Sequence, residues 1–417
     1  MMQDKQTPPS PPDVSAVDIE EMVFEEDIEE VIDLDEVIMD GMSSLEDEDD
    51  KEVVPPREDA VCIFRGHTSG NTVFCGSLSK NGELAATGSE ENKACIWDIN
   101  TGETIFDTGT THDDSIIFAE FNFNDKYVAT ADMCGKIQLW KISNKTCVWE
   151  TTLASDISWI KWHYFSNILV AGVETGEVYM LKTRTDECKI FAQGTGDKTE
   201  TGVIFPDGKH AAIGYHSGVI HVIELKSNIV LSTTPRDSTR SHGHASYIVA
   251  IDCHMDNNLL ISVSIEGQTI LSTAHNGKVI CVLQDLNIKD AASNDYGNVE
   301  TAAFCKDPTF PVAATGTIEN EDHGKIYIWD ISKQTLRHEI DQNGGITKLM
   351  WTKTSILFTA GLDSVLRCFD ARAGICLQEF SGHTNGIYDL YISSDDKKVL
   401  TVSDDSTARI FDISMLT

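Results

Sequence analysis

Carboxylates that recur near predicted strand ends are the side chains best placed to do chemistry in this 417-residue chain. Asp is common in turns because its side chain can bond its own backbone, but Glu has no such preference, so the glutamates exceed the structural expectation. A ring of carboxylates attracts basic peptides and raises their association rate. The candidate binding residues are Glu90, Glu91, Asp113, Asp114, Asp132, Asp156, Glu174, Glu266, Glu319, Asp363, Asp404 and Asp405.

Catalytic and metal-binding patterns are scarce by comparison. The sequence contains no HExxH, no GxSxG and no glycine-rich phosphate loop. His242-Gly243-His244 and His338-Glu339 are the nearest approaches to a metal site, but isolated loop histidines are more often ordinary. We therefore expect no metal, no cofactor and no enzymatic activity.

The elements that position these residues form a repeat. Equivalent strand ends fall at Trp97-Asp98, Trp140-Lys141, Leu181-Lys182, Ile223-Glu224, Ser272-Thr273, Trp329-Asp330, Phe369-Asp370 and Phe411-Asp412. Five of the seven spacings are 40 to 43 residues, against the roughly 40 to 45 residues of a four-stranded WD-repeat blade. The other two, 49 and 57, contain polar insertions at 236–243, 290–298 and 319–323. The pattern predicts an all-β fold, a single closed β-propeller of eight blades. A short apolar strand at 61–64 would complete the last blade and remove its exposed edge.

Polar residues inside WD repeats also have a structural role, because a His, a Ser or Thr, a turn Asp and the closing Trp can satisfy one another by hydrogen bonds. The first repeat offers His67, Ser89 or Thr87, Glu91 and Trp97 for this network. The last repeat offers His383, Ser403, Asp405 and Phe411. His244 is expected to be structural as well, and Cys134 is expected to occupy the turn-Asp position of the second repeat. Trp159, Trp162 and Tyr247 are either core residues, the favoured reading, or apolar anchors on the acidic face.

The charge distribution divides the chain into two regions. Residues 1–59 carry 22 acidic and three basic residues, which predicts a largely disordered acidic tail, and 60–417 would form the propeller. Within the tail, Val17–Met42 mixes acids with aliphatic residues and is either a solvated segment, the favoured reading, or a docking segment that folds on binding.

Charge and cysteine content limit the partners and the compartment. A formal charge of −35 disfavours direct binding to nucleic acid. The eleven cysteines form no CxxC pair, which favours a reducing compartment, the cytoplasm and possibly also the nucleus. No apolar run is long enough for membrane insertion. We expect a monomer, although the sequence says nothing firm about oligomeric state.

Several stretches resemble the angio-associated migratory cell protein family over nearly the whole chain. They include MVFEEDIEE, ATADMCGKIQLWK, VAGVETGEVYMLK and GLDSVLRCFDARAG. The resemblance implies a non-enzymatic binding protein. Fungal relatives resemble chaperones of a large-subunit ribosomal protein, whose basic N-terminal segment sits on the acidic face of the propeller. Animal members are implicated in cell migration, angiogenesis and small-GTPase signalling.

Three functional hypotheses remain open from the sequence. The charge favours a chaperone that captures a basic segment of a ribosomal protein and supports ribosome biogenesis. The alternative is a scaffold for signalling regulators in cell migration. A third hypothesis comes from Phe369-Asp370-Ala371-Arg372, which resembles the WDxR element of cullin ubiquitin-ligase substrate receptors, with Phe in place of Trp.

Overall fold

The strands of the chain are arranged as eight four-stranded antiparallel sheets. A computed structural model describes residues 57–185, 187–191, 196–286, 298–319 and 322–416. Within these residues seven sheets follow chain order, and the eighth has the order first strand, last strand and the two strands before it. This is the closed eight-bladed β-propeller that the repeat predicted. The described residues include no helix long and apolar enough to span a membrane.

Each blade contributes four strands, numbered in chain order. Blades 1 to 4 contain β2 (Val73–Leu78), β3 (Leu84–Ser89), β4 (Ala94–Asp98), β5 (Thr104–Asp107), β6 (Ile116–Phe121), β7 (Tyr127–Asp132), β8 (Lys136–Lys141), β9 (Thr146–Thr152), β10 (Ile157–Trp162), β11 (Ile168–Val173), β12 (Val178–Lys182), β13 (Glu187–Phe191), β14 (Thr199–Ile204), β15 (His210–Tyr215), β16 (Ile220–Glu224) and β17 (Ile229–Thr234). Blades 5 to 8 contain β18 (Ile248–Cys253), β19 (Leu259–Ser264), β20 (Gln268–Thr273), β21 (Val279–Asp285), β22 (Asn298–Phe304), β23 (Val312–Ile318), β24 (His323–Asp330), β25 (Thr335–Asn343), β26 (Ile346–Trp351), β27 (Ile356–Gly361), β28 (Leu366–Asp370), β29 (Ile375–Phe380), β30 (Ile387–Ile392), β31 (Lys398–Ser403), β32 (Ala408–Asp412) and β1 (Cys62–Phe64).

Burial explains the composition of each strand. The second strand of a blade is covered on both faces by neighbouring blades, so β3 and β7 are built from small and apolar residues that are almost all buried. The outer strand has solvent on one side, and β9 accordingly alternates exposed and half-buried residues. All eight predicted strand ends fall in the third strands, and Ser272 occupies the position of Trp97 in its blade.

The ring is closed by the two ends of the propeller. β1 pairs with β32, with Phe64 opposite Ala408, as predicted. The Phe64 ring stacks on Trp97 of the first blade at 4.6 Å. Contacts continue upstream, because the Asp59 amide donates to the Ser381 carbonyl at 3.0 Å. The closing strand therefore joins blade 8 to blade 1.

A β-bulge occurs at the same place in every blade. In blade 1 Val73 lies opposite Ser89 and Cys75 opposite Gly88, so Phe74 is the extra residue of β2. Tyr388 is the corresponding extra residue of β30. Because a bulge re-aims the side chain next to it, these residues form a ring at one end of the central channel.

Candidate functional site: an acidic arc on one face

Two kinds of loop meet on one face of the propeller. The turns between second and third strands are hydrogen-bonded to the loops that connect successive blades. The Glu90 amide donates to the Thr72 carbonyl at 2.9 Å, and the Asp404 amide donates to the Gly386 carbonyl at 3.1 Å. The same bond recurs from Met133 to Ser115. We call this surface the turn face.

A repeated histidine framework supports the turn face from below. His67 contacts Thr87 Oγ1 through Nε2 and Glu91 through Nδ1, both at 2.8 Å. His383 contacts Thr401 at 2.8 Å and Asp405 at 2.9 Å in the same way. Burial alone favours the protonated carboxyl, but hydrogen bonds from His67 and Thr68 hold the pKa of Glu91 well below its usual range.

For the first repeat the sequence offered Ser89 or Thr87, and Thr87 is the residue that contacts His67. For the last repeat it offered Ser403, but Thr401 contacts His383. Ser89 does not contact His67, and its hydroxyl accepts the Glu91 amide instead. Ser403 donates to the Asn385 carbonyl at 2.9 Å. The indole N–H of Trp97 has no hydrogen-bond partner among the described residues, since its ring is enclosed by apolar neighbours such as Phe64. Thr87 and Thr401, each two residues before the serine in its strand, contact the histidines instead.

The second blade contains a framework histidine that the sequence analysis missed. His112 contacts Thr130 Oγ1 at 2.8 Å and Asp132 at 3.1 Å. Asp132 is fully buried, so it belongs to the framework and not to the exposed binding set. It lies at the strand position of Ser89 and Ser403, and Cys134 occupies the turn-Asp position as predicted, although Asp132 makes the contact to the histidine. The signal was its spacing, because His112 precedes Trp140 by nearly the interval that separates His67 from Trp97. A Thr in place of the preceding Gly concealed it.

His244 is also structural in its contacts. Its Nε2 contacts the Ser262 hydroxyl at 2.8 Å, and the side chain is completely buried. Burial and the nearby Arg240 lower the pKa of His244 to about 3. The imidazole is therefore neutral at physiological pH.

Most of the predicted acidic ring is neutralised by neighbouring basic side chains. Asp363 makes a two-point contact with Arg367 at 2.5 and 3.0 Å, and Asp405 lies 2.8 Å from Arg409. Seven of the twelve candidates have such a partner: Glu91 with Lys93, Asp113 with Lys136, Glu174 with Lys198, Glu266 with Arg240, Glu319 with Lys325, Asp363 with Arg367, and Asp405 with Arg409. Their contribution to a negative potential is reduced accordingly.

Four candidates have no basic partner within 4 Å among the described residues: Glu90, Asp114, Asp156 and Asp404. We call them the acidic arc, because they come from blades 1, 2, 3 and 8, which are consecutive in the closed ring. Glu90 accepts the Thr72 amide at 3.3 Å, and Asp404 accepts the Thr72 hydroxyl. One threonine thus holds two carboxylates together at the junction of blades 8 and 1.

The other half of the acidic arc surrounds an exposed thiol. Cys134 Sγ lies 3.3 Å from Asp114 Oδ2. The hydrogen bond to Asp114, together with the charges of Asp114, Asp132 and Asp156, raises the pKa of Cys134 to about 11. An exposed thiol with such a pKa reports a strongly negative local potential.

Apolar side chains lie beside the acidic arc. Phe74 and Tyr388, the bulge residues of blades 1 and 8, have ring centroids 6.3 Å apart, and Tyr388 is 40% exposed. Burial and the negative charge of Asp404 raise the pKa of Tyr388. Met133 is exposed next to Cys134. The surface therefore combines carboxylates with apolar contacts.

Of the three aromatic residues considered from the sequence, only Tyr247 lies on the turn face, in blade 5, where the Ile265 amide donates to its carbonyl at 3.1 Å. Trp159 and Trp162 are buried, and Trp162 Nε1 donates to the Glu120 carbonyl of the neighbouring blade at 3.0 Å. Tyr247 is half-buried and stacks on His216 at 5.0 Å. The two tryptophans are core residues, which was the favoured reading, and Phe74 and Tyr388 are the aromatic side chains beside the acidic arc.

Two further motifs have structural partners. Arg372 lies 2.8 Å from Asp307 of the adjacent blade, with its guanidinium 4.3 Å from the centre of the Phe310 ring. His338 contacts the Arg372 carbonyl at 3.1 Å. Among the described residues, no group of three or more His, Cys, Asp or Glu side chains is arranged to hold a metal ion.

Fold and framework together define a WD-repeat β-propeller. The family model described as WD domain, G-beta repeat matches residues 59–98 and 374–412. The chain belongs to the angio-associated migratory cell protein family. It is 33% identical to the dog protein of that name over 378 residues, which cover 89% of this chain and 81% of the relative. The human protein is also 33% identical and is covered to 82%.

Fungal ribosome assembly proteins are similar as well. Ribosome assembly protein SQT1 of Saccharomyces cerevisiae is 23% identical over 425 residues, covering 88% of this chain and 92% of the relative. A crystal structure of Chaetomium thermophilum Sqt1 bound to the N-terminus of the ribosomal protein L10 matches with a TM-score of 0.72 and 20% identity, covering 85% of this chain and 100% of that chain. At this identity the structural likeness shows the fold.

Proposed function

We propose that this protein is a chaperone that captures a basic segment of a large-subunit ribosomal protein on the acidic arc and so supports ribosome biogenesis. It acts by binding, without making or breaking covalent bonds. The observation that carries the proposal is the presence of four carboxylates on consecutive blades that no basic side chain of the described residues neutralises. The site of action we propose is the cytoplasm, where ribosomal proteins are synthesised.

The composition of the surface supports a peptide with both charge and apolar side chains. Lys and Arg would contact the carboxylates, and an aliphatic or aromatic side chain would pack against Phe74 and Tyr388. A fungal relative supports a ribosomal client, since Chaetomium thermophilum Sqt1 was crystallised with the N-terminus of the ribosomal protein L10. We propose the corresponding ribosomal protein as the client here.

A scaffold for signalling regulators in cell migration is the second candidate. The name of the relatives that are 33% identical favours it. The turn face would serve that role equally if the regulator were basic. The cullin-receptor hypothesis is not carried further, because Arg372 is held by Asp307 and Phe310.

Affinity capture at low and moderate salt, followed by mass spectrometry, tests the proposal. The expected result is a free ribosomal protein that is lost as salt rises, because the contact is largely electrostatic. Recovery of kinase or GTPase regulators, with ribosomal proteins no higher than background, would favour the scaffold. A variant with Lys at Glu90, Asp114, Asp156 and Asp404 should lose the ribosomal protein and keep its unfolding temperature.

A further inference from the structure

The opposite mouth of the central channel has a different charge from the rest of the protein. A cavity of about 800 Å³ is lined there by residues from all eight first strands and the turns that follow them. Its lining carries five lysines and four carboxylates, whereas the whole chain carries 32 basic and 67 acidic residues. Because Lys348 is paired with Asp389, four lysines and four carboxylates remain, and the charge balance of this mouth is near neutral in an otherwise acidic protein.

The lysines at this mouth remain available to a ligand. Four of them are exposed, and we call them the lysine rim: Lys80, Lys161, Lys306 and Lys353. None has a carboxylate partner within 4 Å among the described residues, although Lys353 Nζ bonds the Ser394 carbonyl. Asp125 and Asp396 also line the mouth, but each accepts a backbone N–H of a neighbouring turn, Asp125 from Lys80 at 2.9 Å and Asp396 from Lys353 at 3.1 Å.

Apolar side chains are exposed beside the lysine rim, in the turns of blades 2, 3 and 5. Phe165 is 66% exposed, Met255 54%, Tyr164 49% and Phe123 36%. Tyr164 and Phe165 are in ring contact, and exposed apolar side chains that adjoin one another mark interaction sites more often than isolated ones do.

The aromatic turn of blade 3 is held rigidly. The Tyr164 hydroxyl donates to the Ile204 carbonyl at 3.1 Å, and the Phe165 ring meets the Tyr164 ring edge-on at 6.3 Å. His163 Nε2 contacts the Gly208 carbonyl at 2.7 Å, which ties this turn to blade 4. Rings that are already fixed lose little entropy when a ligand binds.

We propose that this mouth binds an acidic segment of a partner protein that also carries aromatic or aliphatic side chains. The lysine rim matches its carboxylates, and the exposed rings match its apolar side chains. A nucleic acid fits less well, because its dense phosphate charge would meet the field of a protein with a formal charge of −35. Since the acidic arc lies at the other end of the channel, one molecule can hold a basic partner and an acidic partner at once.

Fluorescence anisotropy with four probes of equal length tests this inference on the full chain. The probes are peptides of alternating Glu and Phe, of alternating Glu and Ser, and of alternating Lys and Phe, together with a single-stranded oligouridine. We expect saturable binding of the Glu/Phe peptide, at least tenfold tighter than the Glu/Ser peptide. Tighter binding of the oligouridine, or no saturable binding of the Glu/Phe peptide, would overturn the proposal.

Variants locate the binding. Phe123→Ser with Phe165→Ser, and separately Lys161→Glu with Lys306→Glu, should each weaken Glu/Phe binding at least tenfold and leave Lys/Phe binding unchanged. Leu231→Ser and Lys189→Glu are controls, because both residues are exposed in outer strands, β17 and β13, and neither lines the cavity. Equal binding by the mouth variants and the controls would refute the site. Urea unfolding of each variant confirms that lost binding does not reflect lost structure.

Discussion

Neutralising the two carboxylates held by Thr72 gives the sharpest test of the acidic arc. Glu90→Gln with Asp404→Asn keeps the size of both side chains and preserves acceptors for the Thr72 amide and hydroxyl. Only charge is removed, so the fold should be unchanged. An exposed ion pair contributes about 0.2–1 kcal/mol to the binding free energy. At low salt the charges are little screened, so values in the upper part of that range are expected.

Two lost contacts therefore predict a loss of about 1–2 kcal/mol, which corresponds to roughly five- to thirtyfold weaker binding of a basic peptide. The assay is isothermal titration with the N-terminal segment of the ribosomal protein L10 from the same species, at two salt concentrations. The matched control is Glu83→Gln with Glu103→Gln, which removes the same charge from exposed residues of other turns. If both double variants bind equally, net charge accounts for the affinity and the acidic arc is not the site.

Four further outcomes follow from the structure. A chain that begins at Arg57 should keep the unfolding temperature of the full chain, whereas one that begins at Gly66 lacks β1 and should unfold well below it in a thermal melt. Asp132→Ala leaves His112 and the Asp113 and Lys136 amides without their acceptor, so urea unfolding should show a loss of about 2–4 kcal/mol, while Asp156→Ala should be nearly neutral. Asp114→Asn should lower the pKa of Cys134 and speed its alkylation by iodoacetamide at pH 8, with the exposed Cys188 as internal control; an unchanged rate would contradict the negative potential. Because the pKa of Glu91 is lowered in the folded state, its stabilising effect is present at neutral pH and lost as the pH falls below about 4, so the wild type and Glu91→Gln should differ in stability at pH 7 and converge at acid pH.

The sequence predicted the eight blades because their positions are set by local patterns. Strand ends such as Trp97 and Phe411 recur about once per blade length. Ser272 occupies the strand position of Trp97 although it has no aromatic ring. Closure by the strand at 61–64 followed from the need to pair an exposed edge. The predictions of the blades and of the closing strand needed only the order and spacing of residues along the chain.

The site was less predictable because it depends on which side chains meet across blades. Nothing in the sequence shows that Asp363 pairs with Arg367 or that Asp404 lies beside Thr72. The second contact joins residues that are 332 positions apart in the chain. The anchors were missed for a related reason, because a bulge, invisible in the sequence, brings Phe74 and Tyr388 to the channel mouth. The segment 17–42 and the boundary at residue 59 remain predictions, and the segment lies outside the described residues.

Closure by β1 and β32 also constrains how the protein is made. The ribosome synthesises β1 before every other strand and β32 after all of them, yet the two are partners in one sheet. During translation β1 has no native partner, and the growing set of blades presents open edges that invite wrong pairing. Closure of the ring must therefore wait for the last blade, and a protein that we propose to protect newly made chains itself keeps an open edge until its own synthesis is nearly finished.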